Sequence, residues 1–148
     1  MVFVVKERRR REWKNPRAIS RKGKREDLGG QYFRSNQEAN LARVFNHLGV
    51  RWQYEPKEFE FPVPRGNRFY TPDFYLPDLD RWVEVKGWLD AQSLTKLRRF
   101  KKYYPDEFKK LQLYISTDDK KTMAAVLGLG CEFFGLFKKA YSMIENWE

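Results

Sequence analysis

The hydrophobic positions that follow residue 35 recur three and four residues apart, which is typical of one face of a helix. Ser35 and Glu38 have the spacing of a capping box at the start of such a helix. Its apolar face consists of Leu41, Val44, Phe45 and Leu48. Gly49 is the kind of residue that commonly ends a helix. The pattern therefore predicts a first helix that begins at Ser35 and ends at Gly49.

Shorter segments after this helix alternate apolar and polar residues, which is the pattern of half-buried strands. The predicted strands are 50–55, 58–63, 68–76 and 81–86. Gly66-Asn67 is a turn signal between the second and the third of these strands. We expect a hairpin through residues 77–80 to pair the third strand with the fourth.

Helical spacing returns at residues 91–104, and Pro105 ends that helix. Its inward side chains are predicted to be Leu94, Leu97, Phe100 and Tyr104. Residues 111–116 predict one more strand and residues 123–127 a helix, whereas the aromatic-rich end of the chain has no clear pattern. The order of these elements predicts an α/β fold in which a mixed β-sheet is flanked by helices.

Composition narrows the class of protein. A length of 148 residues suits a single domain, and twelve Phe, eight Tyr and five Trp supply core material. No apolar run approaches the roughly 20 residues of a membrane span, and the charged N-terminus does not resemble a secretory signal. The lone Cys131 excludes an intramolecular disulfide and a cysteine-based zinc site. These features predict a cytoplasmic protein without membrane association.

Most of the positive charge lies near the N-terminus. Residues 6–25 hold eleven Lys or Arg against two Glu, which is +9 of the formal net charge of +10. We predict a basic arm over 1–30 with a hinge at Gly29-Gly30, followed by a single domain over 31–148. Such an arm suits a polyanion, although it could instead be a solubilising tail, and charge alone does not separate DNA from RNA. The arm residues predicted to bind nucleic acid are Arg8, Arg9, Arg10, Arg11, Lys14, Arg17, Arg21, Lys22, Lys24 and Arg25.

A second group of basic side chains would lie on the outer side of the helix at 91–104. Its members are Lys96, Arg98, Arg99, Lys101 and Lys102. They could line a phosphate track or simply solvate that face. We take Lys96 and Arg99 as candidate nucleic-acid contacts, together with Arg34, which stands just before the first helix and could reach a phosphate.

Asp73, Glu84 and Lys86 carry the candidate chemistry. Alternate side chains of a strand share a face, so Glu84 and Lys86 point one way and the valines beside them the other. Pairing with the preceding strand would bring Asp73 alongside. Two oxygen ligands beside one lysine are what metal-assisted phosphodiester hydrolysis needs. The alternative is a solvated strand face with a cross-strand ion pair, but the apolar neighbours of these charges and Gly87 at the strand end favour a site.

Several segments between about residues 32 and 116 match one pattern in order. They are Phe33-Arg34-Ser35-x-x-Glu38, Leu48-Gly49-Val50, Tyr54-Glu55, Tyr70-Thr71-Pro72-Asp73-Phe74 with Leu76-Pro77, and Val83-Glu84-Val85-Lys86-Gly87. With them the chain resembles the PD-(D/E)xK nuclease superfamily and, more narrowly, the phage endonuclease I type of Holliday junction resolvase. The resemblance implies a restriction-endonuclease-like core.

The resemblance also implies four catalytic residues. They are Glu38, Asp73, Glu84 and Lys86. Asp73, Glu84 and the Val85 carbonyl would hold one divalent metal ion, and Glu38 would help to hold a second. Lys86 would orient or help to deprotonate the attacking water and stabilise the developing negative charge. Mg²⁺ is the expected ion, with two per active site, and Mn²⁺ should substitute for it.

Such resolvases are homodimers that make paired nicks in branched or four-way-junction DNA. In the endonuclease I type the first helix is exchanged between subunits, which would place Glu38 in the partner's site and make residues 49–57 the crossing segment. The chain departs from the family in its long basic N-terminal arm and in its end from about Asp118. Two alternatives stay open. One is a partner-dependent DNA-nicking subunit of a transposase or restriction system, and the other is a non-catalytic nucleic-acid-binding module, against which the intact four-residue set argues.

Overall fold

The computed structural model describes residues 22–115, 119–135 and 144–148. The chain divides into two compact units, of which the second spans Gln53–Phe137 and the first spans the remainder on both sides. Because the described residues begin at residue 22, most of the predicted basic arm lies outside them. The predicted split into an arm over 1–30 and a single domain over 31–148 stays a prediction.

The first unit begins with a β-hairpin. Strand β1 (Gly23–Arg25) pairs antiparallel with β2 (Gln31–Phe33), and a short 3-10 turn connects them. Gly29 and Gly30 in this connection have φ angles of 72° and 79°, in the left-handed region that favours glycine. The two residues predicted as a hinge thus lie in the connection of this hairpin, and their role as a hinge stays a prediction.

Helix α1 (Asn36–His47) begins as predicted. Ser35 Oγ accepts a hydrogen bond from the Glu38 amide at 3.2 Å, and Glu38 Oε2 accepts one from the Arg34 amide at 3.0 Å. These bonds satisfy two backbone donors near the helix start. The buried apolar residues of the predicted face are Leu41, Val44 and Phe45. The inward placement of Leu48 was wrong, because this residue occupies the C-cap beyond the last turn and is 66% exposed.

A buried polar network joins α1 to the hairpin and to the C-terminal segment. Arg25 Nε and Arg43 Nη1 each donate to Glu148 Oε2 at 2.9 Å. The Asn40 side chain binds the backbone of Glu148 twice, donating to its carbonyl and accepting from its amide, both at 3.0 Å. Arg43 also forms a two-bond pair with Asp27, at 2.7 and 3.1 Å. The first unit is therefore held together by paired charges as well as by apolar packing.

The second unit contains a five-stranded mixed sheet and a separate two-stranded hairpin. The sheet strands, in spatial order, are β3 (Gln53–Tyr54), β6 (Phe74–Leu76), β7 (Arg81–Lys86), β8 (Leu111–Ile115) and β9 (Glu132–Gly135). The hairpin strands are β4 (Phe59–Glu60) and β5 (Phe69–Tyr70). The β3–β6 and β6–β7 pairs are antiparallel, whereas the β7–β8 and β8–β9 pairs are parallel.

The predicted strand at 68–76 divides into β5 and β6. Pro72 lies at the break and has no backbone N–H to donate to a ladder. The predicted hairpin between the third and fourth strands is confirmed, because β6 pairs with β7 and sets Phe74 opposite Val83. Strand β9 was not predicted.

Three helices complete the second unit: α2 (Ala91–Tyr103), α3 (Pro105–Phe108) and α4 (Lys120–Leu129). The inward face of α2 is confirmed, since Leu97 and Phe100 are buried in a core that also contains Phe59, Tyr70 and Trp82. The architecture is α/β with a mixed sheet flanked by helices, as predicted, and it is consistent with a restriction-endonuclease-like core. None of the helices in the described ranges is long and apolar enough to cross a membrane.

Candidate active site

Asp73 and Glu84 converge through the paired strands β6 and β7. Asp73 immediately precedes β6, and its Oδ2 accepts a hydrogen bond from the Val85 amide at 2.7 Å. Both carboxylates are buried, with 8% of Asp73 and 4% of Glu84 exposed. The prediction that the hairpin brings Asp73 alongside β7 is confirmed. Burial of two carboxylates is costly, so these positions are candidates for a functional site.

Lys86 lies on the same face of β7 as Glu84, as predicted. Its Nζ is 3.2 Å from Glu84 Oε1, and 31% of its side chain is exposed. Burial disfavours the charged form of Lys86, but attraction to Glu84 and Asp73 outweighs this effect, so the pKa of the ammonium is raised above the ordinary lysine value. The neighbouring carboxylates therefore favour the charged form of Lys86.

Tyr70 also contacts this cluster, in a role that no pattern in the sequence predicted. Its hydroxyl donates to Glu84 Oε2 at 2.8 Å. Burial raises the pKa of Tyr70 well above the ordinary tyrosine value, and the negative charge of Glu84 raises it further, so the hydroxyl keeps its proton. The signal in the sequence was the position of Tyr70 three residues before Asp73, but an aromatic residue in a strand is ordinarily read as core.

The donors of this cluster fit a hard divalent cation. Asp73, Glu84 and the Val85 carbonyl would provide oxygen ligands and no soft donor, which is the preference of Mg²⁺. Among the described residues, no group of three or more His, Cys, Asp or Glu side chains is placed to hold a metal ion. A pair of carboxylates is compatible with Mg²⁺, because this ion usually keeps several waters and takes only one or two carboxylates.

Glu38, the fourth predicted catalytic residue, belongs to α1 in the first unit, whereas Asp73, Glu84 and Lys86 belong to the second. Glu38 is buried and accepts a hydrogen bond from the Arg34 amide. The boundary between the units falls between Trp52 and Gln53, inside the predicted crossing segment 49–57. Exchange of α1 between subunits stays a prediction.

The predicted nucleic-acid contacts fall into several groups. Arg8, Arg9, Arg10, Arg11, Lys14, Arg17 and Arg21 lie outside the described residues. Lys22, Lys24 and Arg34 are exposed, and Lys96 is half-buried. Arg25 is buried and bonded to Glu148 and Asn36, which is a structural position rather than the predicted phosphate contact. Arg99 donates to the backbone carbonyls of Gly66 and Asn67 in the β4–β5 turn.

Comparison with known proteins identifies similar sequences. The Phage endonuclease I family model matches residues 19–133. Endodeoxyribonuclease 1 of Enterobacteria phage T3 is 29% identical over 77 residues, which are 52% of this chain and 50% of the relative. Endonuclease I of Escherichia phage T7 is 30% identical over 74 residues, which are 50% of this chain and 49% of the relative. The chain thus spans about half the length of these curated relatives. Because the family model covers well over half of the sequence, the chain belongs to the phage endonuclease I family.

Proposed function

We propose that this protein is a metal-dependent DNA endonuclease of the PD-(D/E)xK superfamily that makes paired nicks in branched DNA, such as a Holliday junction. The observation that carries the proposal is the cluster of Asp73, Glu84 and Lys86, in which two buried carboxylates lie beside one ammonium. The names of the T3 and T7 relatives, an endodeoxyribonuclease and an endonuclease, support phosphodiester cleavage in DNA.

Each residue of the cluster has a role in this chemistry. Asp73, Glu84 and the Val85 carbonyl would hold Mg²⁺ or Mn²⁺. The bound metal would polarise the scissile phosphate and lower the pKa of a bound water. Lys86, which lies 3.2 Å from Glu84, would orient the attacking water or help to deprotonate it, and would stabilise negative charge that develops on the phosphate. The low exposure of Glu84 strengthens these interactions, since buried charges are screened less by solvent.

The proposal includes a homodimer in which α1 is exchanged, so that Glu38 serves the partner's site and helps to hold a second metal ion. Mixing Glu38→Ala subunits with Lys86→Ala subunits tests this arrangement. With exchange, a heterodimer of the two variants has one site that carries both substitutions and one intact site, so cleavage of one strand should return. Inactive mixtures, in which mass spectrometry shows that heterodimers have formed, would place each site within one chain.

The test of the function is a cleavage assay on a labelled, immobile four-way junction and on a linear duplex with the same arms. Each substrate is incubated with Mg²⁺ and with a chelator. We expect metal-dependent, symmetric nicks near the branch point and little cutting of the duplex. Equal cutting of both substrates would indicate a general nuclease. Binding without cutting would favour the partner-dependent nicking subunit or the non-catalytic module.

The catalytic assignment has a matched control. Lys86→Ala should reduce the single-turnover cleavage rate by about 100-fold or more, as loss of one transition-state donor does, while junction binding is retained. Lys110→Ala removes another lysine whose side chain is 31% exposed and which lies 3.1 Å from the Asp80 carboxylate. That control should cut normally. Unchanged cleavage by Lys86→Ala would show that the site is assigned wrongly.

A further inference from the structure

The Glu84 carboxylate is held at both of its oxygens. Lys86 Nζ lies 3.2 Å from Oε1, and the Tyr70 hydroxyl donates to Oε2 at 2.8 Å. The two partners differ in mobility, since the lysine has a flexible stem and is partly exposed whereas Tyr70 is buried. Of these two contacts, the one with Tyr70 is therefore the rigid one.

Tyr70 is itself fixed by packing outside the sheet that carries Glu84. It belongs to β5, where it is opposite Phe59 of β4, and this hairpin is separate from the five-stranded sheet. Its ring packs against Phe100 of α2 with centroids 5.0 Å apart, and Phe100 is fully buried. The aromatic core beneath α2 thus sets the position of a hydroxyl at the candidate metal site.

A phenylalanine would fill the same space in this core, so packing alone does not account for the hydroxyl. A hydroxyl in so buried a place needs a partner, and the partner it has is an ionised carboxylate, which gives a stronger bond than a neutral acceptor. Hydrogen bonds of this type orient metal-ligating side chains, and their loss typically lowers metal affinity about 10-fold to 100-fold.

We propose that Tyr70 is a positioning residue that holds the Glu84 carboxylate in the orientation in which it takes the divalent metal. The inference rests on the proposed metal-dependent function. Without the hydroxyl, Glu84 keeps its contact with Lys86 and can turn toward that ammonium. The metal then has to reorder the carboxylate before binding it, so metal affinity falls. Once the metal is bound the ligands are the same, so the cleavage rate at saturating metal changes much less.

The test compares Tyr70→Phe with Tyr104→Phe in the full chain. Tyr104 is the control, because its ring also packs against Phe100 and its hydroxyl also donates one hydrogen bond, in this case to the Glu60 carbonyl at 2.6 Å. Unlike Tyr70, Tyr104 is only half-buried. Calorimetry measures Mn²⁺ binding without DNA, and a metal titration of junction cleavage gives the half-saturating concentration and the maximal rate. Thermal unfolding in chelator reports the fold of each variant.

We expect Tyr70→Phe to raise the Kd for Mn²⁺ and the half-saturating metal concentration by about 10-fold or more, with a much smaller change in the maximal rate. Tyr104→Phe should leave the Kd, the half-saturating metal concentration and the maximal rate unchanged. In a Glu84→Gln background, Tyr70→Phe should add little, since its effect passes through Glu84. A Kd for Tyr70→Phe equal to that of the wild type would overturn the proposal and leave the hydroxyl a structural role only.

A measurement on the wild type keeps the proposal testable if Tyr70→Phe does not fold. In protein carrying ¹³C-labelled tyrosine, the Cζ resonance of Tyr70 should shift when Mg²⁺ is added, and that of Tyr104 should not. A Tyr70 resonance that stays in place during a titration that saturates the site would overturn the proposal. Wild-type protein that binds Mn²⁺ in a Tyr70-dependent way but cuts no DNA would refute the proposed function and leave the positioning role standing.

Discussion

Replacing Glu148 by glutamine should destabilise the protein strongly, although the two side chains have the same shape. Arg25 and Arg43 both donate to Glu148 Oε2 at 2.9 Å, and the side chains of Arg25 and Glu148 are only 2% and 1% exposed. The substitution leaves two buried guanidinium groups without their shared anion. Breaking a buried ion pair by removing one partner costs about 3–5 kcal/mol. Because Arg43 keeps its two hydrogen bonds to Asp27, we expect a loss of stability at the low end of this range, about 3 kcal/mol.

That loss would be a large part of the total, since natural domains are stable by only about 5–15 kcal/mol. The assay is urea denaturation of the full chain in chelator, followed by circular dichroism and by tryptophan fluorescence. Glu145→Gln is the control, because it makes the same change at an exposed position of the same segment. An ordinary surface substitution changes the free energy of unfolding by less than about 0.5 kcal/mol. If Glu148→Gln lowers the free energy of unfolding by no more than this relative to the control, these charges do not hold the first unit together.

Three further outcomes concern a helix cap, the basic arm and the metal site. Asp90 caps α2 by accepting a hydrogen bond from the Ser93 amide at 2.7 Å, and this backbone bond lowers the pKa of its carboxyl. At pH values above the unfolded-state pKa of Asp, Asp90→Ala should lower the free energy of unfolding by about 1 kcal/mol. In thermal melts, the stability difference between Asp90→Ala and the wild type should shrink as the pH falls through the lowered folded-state pKa. A difference that does not change with pH would contradict the cap. Deleting residues 1–21, which leaves the buried Arg25 in place, should weaken the salt dependence of junction binding. The slope of log K against log salt concentration, measured by fluorescence anisotropy, should become less steep by roughly 0.9 for each phosphate that the arm neutralises. An unaltered slope would show that the arm does not contact phosphates. Mg²⁺ should raise the melting temperature of the wild type but not of Asp73→Asn, and equal stabilisation of both would remove Asp73 from the metal site.

The parts of the fold that were predicted correctly are those that local rules determine. Ser35 and Glu38 identify the start of α1 because a capping residue and its target lie within one turn of each other. The pairing of β6 with β7 follows from two alternating segments joined by a short turn, and it carries Asp73 to its place beside β7. The cluster of Asp73, Glu84 and Lys86 could thus be predicted from one continuous stretch of sequence.

The errors arise where tertiary contacts override local pattern. Leu48 fits the apolar period of α1, but the helix ends one residue earlier and the side chain is exposed. Arg25 looks like part of a basic run, yet its guanidinium is bonded to Glu148, 123 positions away in the chain. Charge composition does not distinguish a cation that meets solvent from one that a distant carboxylate buries, so the predicted phosphate contact at Arg25 could not be recognised as structural from sequence.

Tyr70 shows the same limit inside the site itself. Its hydroxyl and Glu84 lie on strands that do not pair with each other, and α2 holds the tyrosine ring in place from a later part of the sequence. The residue pattern within either strand does not predict that the two side chains are in contact. The catalytic residues of such a site can be read from a motif because the chemistry restricts their type, but the residues that orient them are restricted only by geometry. Their identity therefore emerges only when the packing around Phe100 is known.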